Sequence, residues 1–103
     1  MNDRELLEAA YAAYRPGENY TRLLNDAGSD YWNPLTDDGD ALRLAVKLNI
    51  DVFFHASRVE GHVAGGRIPP VRAIEREDYG DDPLTATRRA IVRAAAEIGR
   101  NMT

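Results

Sequence analysis

Four arginines, Arg88, Arg89, Arg93 and Arg100, have the spacing that most directly offers a chemistry. Arg89 and Arg93 lie one helical turn apart and Arg93 and Arg100 two, so a helix would carry them in one basic line. Guanidinium forks suit phosphate and carboxylate recognition. The competing reading is a solvated helix face, with Arg93 paired to Glu97 at i,i+4 for about 0.2–0.5 kcal/mol. Tyr11, Tyr14, Tyr20, Tyr31, Trp32 and Phe53 could work beside such a line. A base or ribose stacked on exposed rings, with arginines on its phosphate, is a sensible nucleotide pocket. The same ring types anchor protein interfaces, which makes Tyr14 and Tyr20 candidates for partner binding.

The remaining polar clusters carry less chemistry. His55 and His62 are the only histidines. In a hairpin they could lie across from each other, but two imidazoles alone make a weak metal site. As a general base either needs a nucleophile or an orienting carboxylate. Asp51 and Glu60 are near in sequence, and nothing in the sequence fixes their geometry. Asp37, Asp38 and Asp40 miss the calcium-loop spacing and read as acids at a helix start, each favoured by about 0.3–1 kcal/mol there. Gly61, Gly65 and Gly66 do not match a phosphate loop and read as turn residues. No metal and no cofactor are expected.

The elements that must position these residues follow from periodicity. Residues 3–14 read as a helix capped by Asn2 with Glu5 completing a capping box, its stripe formed by Leu6, Leu7, Ala10, Tyr11, Ala13 and Tyr14. Pro16-Gly17 ends it. Residues 18–30 are ambiguous, with Tyr20, Leu23 and Leu24 able to face inward from a short helix and Ala27-Gly28-Ser29 as its exit. A second helix spans about 37–48, with Thr36 as N-cap. Ala41, Leu44, Ala45 and Leu48 form its inner stripe, which Leu42 and Val46 widen. The period then drops to two. Ile50, Val52, Phe54 and Ala56 alternate with polar or outward positions, and Arg58–Ala64 alternates with Val59, Gly61 and Val63 on one side. Gly65-Gly66 marks a tight turn. Val71–Glu75 reads as a third, edge strand after Pro69-Pro70. Asp82 and Pro83 start the last helix, with Leu84, Thr87, Ile91, Ala94, Ala95 and Ile98 toward the core. The fold class is α+β: a small antiparallel sheet of about three strands packed with helices, sandwich-like.

The totals set outer bounds. A chain of 103 residues suits a single domain, 1–103. The net charge of −4 argues against non-specific nucleic-acid binding, which needs many phosphate contacts. There is no cysteine, hence no disulfide and no thiolate zinc site. No apolar run reaches the ~18 residues of a membrane span, and the start Met1-Asn2-Asp3-Arg4-Glu5 lacks a signal-peptide apolar region. A cytoplasmic protein is expected.

Two stretches are familiar. Residues 32–48, from Trp32-Asn33-Pro34-Leu35-Thr36 through Asp37-Asp38-Gly39-Asp40 to Leu48, resemble the phage ABA-sandwich family, small phage and prophage proteins. Asp81-Asp82-Pro83 followed by Thr85-Ala86-Thr87-Arg88-Arg89-Ala90-Ile91 resembles their closing helix. The likeness covers roughly residues 31–100, leaving residues 1–30 as a variable N-terminal helical segment. It implies an α-β-α sandwich, a phage or prophage origin and an infected or lysogenic bacterial host as the setting. It implies no reaction. The helix-strand order from residue 37 is also that of double-stranded RNA-binding domains, whose last helix starts basic. Here Tyr79-Gly80-Asp81-Asp82-Pro83 is acidic.

The expectation is a phage-encoded, non-enzymatic binding protein acting on the host against its defences. One version captures a small anionic or nucleotide-like ligand with Tyr31, Trp32, Asn33, Arg88, Arg89 and Arg93. The other blocks a host defence protein through Tyr14 and Tyr20. A homo-oligomer would suit both, since a short chain builds a deep pocket more easily between copies. The alternatives are a small hydrolase or lyase using His55 and His62, and a passive phage accessory protein.

Overall fold

A computed structural model describes residues 1–27, 32–63 and 72–102. It contains α1 (Asp3–Tyr14), α2 (Tyr20–Ala27), α3 (Asp38–Leu48), β1 (Asp51–Phe54), β2 (Arg58–Val63), β3 (Ala73–Asp78) and α4 (Pro83–Arg100). The three strands form one antiparallel sheet in the order β1-β2-β3, and with the four helices they make an α+β fold. No helix among the described residues is long and apolar enough to cross a membrane.

The helix starts follow from their caps. Asn2 Oδ1 accepts from Glu5 N at 2.8 Å, and Glu5 returns a bond to Asn2 N, so the expected capping box is formed. In α3 the cap is Asp37, which accepts from Asp40 N at 2.8 Å, and not the expected Thr36. A carboxylate is the stronger acceptor at a helix N-terminus, and the Thr36 hydroxyl is drawn back to Asn33 O. Asp82 caps α4 through Leu84 N and Thr85 N, with Pro83 at the first helical position. Asn49, at φ 56°, ends α3 in the left-handed region and turns the chain into β1.

Strand alternation divides the sheet into two faces. Val59, Gly61 and Val63 of β2 share one side, as expected, and that side faces α4. Gly61 is no turn residue. A Cβ there would stand 2.8 Å from Ala90 O, so the missing side chain lets α4 lie on the sheet. Ala86, Ala90 and Ala94 keep that side of α4 thin. α4 is the central element, with the sheet on one side and α1 and α3 packed on it elsewhere. Leu6, Leu7, Ala10, Leu44, Leu48, Ile91, Val92, Ala95 and Ile98 close the main core.

Several boundaries and faces differ from the periodicity. β1 stops at Phe54, so Ala56 and Ser57 belong to a bend. β3 runs Ala73–Asp78, further along than 71–75. Leu42 and Val46 are exposed, because α3 touches the core with one narrow stripe only. Leu84 is exposed too, one residue into α4 and ahead of its contact with the sheet, while Ala86, Val92 and Ala96 are buried in addition to the expected stripe. Gly65-Gly66, Pro69-Pro70 and the exit at Gly28-Ser29 lie outside the described residues.

Candidate functional site

The arginine line is present on α4, and its members are held by neighbouring carboxylates. Arg88 donates through Nε to Leu35 O at 2.9 Å, and also reaches Asp38 and Thr85. It ties α4 to the turn before α3 and has only 15% of its side chain exposed. Arg89 pairs with Asp3 at 3.0 Å, and Glu77 lies 3.9 Å away. Arg93 pairs with Glu75 and Glu77 of β3, not with Glu97, which pairs with Arg100. The strand places both glutamates on its α4 side, two residues apart, where they meet arginines one turn apart. A hollow of about 310 Å³ lies between Arg89, Arg93 and Arg100, with Glu75 and Glu97 in its wall. Its cations already have partners.

The aromatic residues gather elsewhere, between α1, α2 and the turn into α3. Trp32 is buried, stacked on Tyr14 at 5.4 Å and edge-on to Tyr11 and Tyr20 at 5.1 and 5.8 Å. Tyr20 is also buried, which removes it from any partner surface. Burial raises its pKa, and its hydroxyl donates to Trp32 O at 3.2 Å. Asn33 builds the turn: its Oδ1 accepts from Leu35 N, and its N–H donates to Asp40 at 2.9 Å. Its carbonyl accepts from Thr36 N and Asp37 N. Tyr31 lies outside the described residues.

Beside this cluster is a hollow of about 460 Å³ walled by Tyr11, Tyr14, Arg15, Trp32, Asp40 and Arg43. Sequence reasoning missed Arg15 and Arg43. Arg15 lies over the Tyr14 ring at 5.3 Å and makes no ion pair among the described residues. Lys47 approaches the same ring at 4.7 Å and donates to Tyr14 O. Arg43 is held by Asp40 at 2.8 Å, which raises its pKa, and remains well exposed. The indole Nε1–H of Trp32 is buried with no acceptor among the described residues. An unmatched buried donor costs about 1–3 kcal/mol. Helical arithmetic could have found Arg43, one turn from Lys47, but the meeting of α1 and α3 around Trp32 is a tertiary event.

The sheet face turned away from α4 holds a third cluster. The register puts Asp51, Phe53, Arg58, Glu60, His62, Ile74, Arg76 and Asp78 on it. His62 stands opposite Asp51 and not His55, yet both histidines approach one carboxylate. Glu60 Oε1 lies 2.8 Å from His62 Nε2 and 3.6 Å from His55 Nε2, while Oε2 receives Arg58 Nε at 3.1 Å and Arg76 Nε at 3.2 Å. Glu60 is only 7% exposed although no described element covers this face, because its four neighbours' side chains lie over it. The His62 and Arg58 hydrogen bonds pull its pKa to about 2 against the smaller cost of burial. Among the described residues no group of three or more His, Asp or Glu is arranged to hold a metal ion.

Comparison with family models, curated proteins and solved structures returned no match for this chain.

Proposed function

We propose that this is a phage-encoded binding protein that captures a small, planar, anionic ligand of nucleotide-like chemistry and so acts on its host, withdrawing a defence signal. The phage setting rests on the resemblance in residues 32–48 and 81–91. The ligand class rests on the aromatic hollow, and one observation carries it: the rings of Tyr14 and Trp32 line one space of about 460 Å³ together with Arg15 and Arg43, with Glu18 and Asp40 also in its wall. Tyr14 offers a ring face, and Arg15 and Arg43 offer forks for a phosphate or carboxylate. Among the described residues the hollow is lined by no histidine and no nucleophile paired with a base, which favours a ligand that is held and not converted. This reading moves the anion contacts from Arg88, Arg89 and Arg93 to Arg15, which makes no ion pair among the described residues, and to Arg43, which is held by Asp40 but is more exposed than the other three.

The test is retention and release. The purified protein is incubated with a panel of nucleotides and cyclic nucleotides, washed, heated and analysed by HPLC. A ligand recovered intact supports the proposal. Arg43→Ala should reduce retention at least 10-fold, whereas Arg89→Ala should leave it unchanged. If no member of the panel is retained, or Arg89→Ala alone abolishes retention, the assignment to this hollow fails.

A further inference from the structure

The aromatic hollow leaves the open sheet face unused. The sequence lacked one part of an acid–base site there, a carboxylate fixed against an imidazole, and the fold supplies it. Because the Glu60 carboxylate is ionised, it can only accept. His62 Nε2 must therefore carry the proton of their 2.8 Å bond, and neutral His62 presents its lone pair at Nδ1. The ring is further fixed edge-on against Phe53, 4.6 Å between centroids. His55, more exposed, stands at the same carboxylate oxygen. Arg58 and Arg76 approach Glu60 with Nε, at 3.1 and 3.2 Å, and both side chains are well exposed. At the centre of the face two guanidiniums meet one carboxylate. Asp51, across from His62, and Asp78, across from Arg58, are the acids near its edges. Phe53 and Ile74, both about half exposed, border a hollow of about 610 Å³ beside His62.

The cluster thus has a base, an acid, two anion-binding forks and a ring face, and none of these residues bears a hydroxyl or thiol nucleophile. A substrate that brings its own nucleophile completes it. We infer that the open sheet face binds single-stranded RNA and cleaves its phosphodiester by internal transesterification, with His62 and His55 as base and acid and Arg58 and Arg76 on the phosphoryl oxygens. His62 Nδ1 takes the proton of the 2′-hydroxyl, and the 2′-oxygen forms a bond to phosphorus. The bond from phosphorus to the 5′-oxygen breaks, and protonated His55 gives its proton to that oxygen. The products are a 2′,3′-cyclic phosphate and a free 5′-hydroxyl, with no redox partner or second substrate needed. The guanidiniums stabilise the charge that grows on the non-bridging oxygens, and a base stacks on Phe53. Glu60 is a positioning residue acting through His62 and the arginines. The net charge of −4 confines binding to this local patch and makes it weak and sensitive to salt.

The experiment incubates the full chain with a short single-stranded RNA of mixed sequence, and with DNA of the same sequence, in EDTA. Mass spectrometry identifies the new ends. The expected result is RNA ending in 2′,3′-cyclic phosphate, intact DNA, and a rate that falls on both the acid and the alkaline side. His62→Ala should slow cleavage by about 10²–10⁴-fold. Arg76→Ala, at a well-exposed side chain that is safe for folding, should slow it by about 10²-fold. Glu60→Gln should move the pH profile as well as lower the rate, which a purely structural role would not do. If His62→Ala melts early, His55→Ala and Arg76→Ala carry the test. Intact RNA, binding without cleavage, equal cleavage of DNA, or undiminished rates in these variants would each overturn the inference.

Discussion

Trp32 and Asn33 stand side by side and do opposite things. Asn33 spends its side chain and backbone on the turn and on Asp40, so its polarity is consumed by folding. Trp32 keeps a donor with no acceptor among the described residues, amid three tyrosines. Residue type and neighbours gave both the same standing, and only the bonding separates them. Glu60 shows the reverse case, a carboxylate noted only for its nearness to the histidines in sequence, which became a centre because two strands and a bend converge on it. Its carboxyl, lowered from an ordinary 4.5 to about 2, is more easily ionised folded than unfolded. Its contribution is therefore fully present above pH 4.5 and is lost as the pH falls from there through about 2. Asp82, also lowered by its bonds to Thr85, adds a slope of the same sign. Urea unfolding at a series of pH values should show stability dropping across this window. Glu60→Gln should flatten the drop while leaving the part due to Asp82; an unchanged slope would refute the cause.

Among the elements, α1 and α4 were the most legible, because caps and a 3.6-residue stripe agree over their whole length. The stripe of α3 was read too wide. Leu42 and Val46 look inward by composition, but a helix packed along one line buries one line, and where that line falls depends on its neighbours. The strands themselves came from alternation and their antiparallel sense from hairpin connections, whereas their ends did not, since the residue where a ladder stops depends on the turn. The sequence also hid the closest contact between helices. A Cβ on Gly99 would fall inside the van der Waals shell of Ala9 O, so α1 and α4 approach to backbone contact. Elsewhere in a helix, Gly→Ala gains about 1 kcal/mol from propensity. Here overpacking should win, and Gly99→Ala should destabilise by about 1–3 kcal/mol net. Leu42→Lys, on the exposed side of α3, should stay within about 0.5 kcal/mol of the parent. Chemical denaturation of the two variants side by side checks both signs, and a stabilised Gly99→Ala would remove the close-contact argument.

At the scale of the molecule, α4 separates two surfaces of different chemistry. The aromatic hollow sits among α1, α2 and α3, and the Glu60 cluster sits on the sheet face turned from α4. Half of that cluster was readable, since Arg58, Glu60 and His62 alternate on one strand. His55 and Arg76 join it only through the bend after β1 and the register of β3, neither of which local pattern determines. The aromatic hollow was readable as a supply of rings but not as a place. With no shared hydrogen bond or ion pair between Arg43 and Arg76, their substitutions belong to separate networks. Effects of sites without shared partners add to within about 0.3–0.5 kcal/mol. The double variant Arg43→Ala/Arg76→Ala should therefore have a stability equal to the sum of its single changes within that margin. It should also lose ligand retention to the extent of Arg43→Ala and RNA cleavage to the extent of Arg76→Ala, each unaffected by the other. Coupling of more than about 0.5 kcal/mol in the thermodynamic cycle, or loss of RNA cleavage in Arg43→Ala alone, would mean that the two faces are one site joined through α4, and both functional readings would have to be merged.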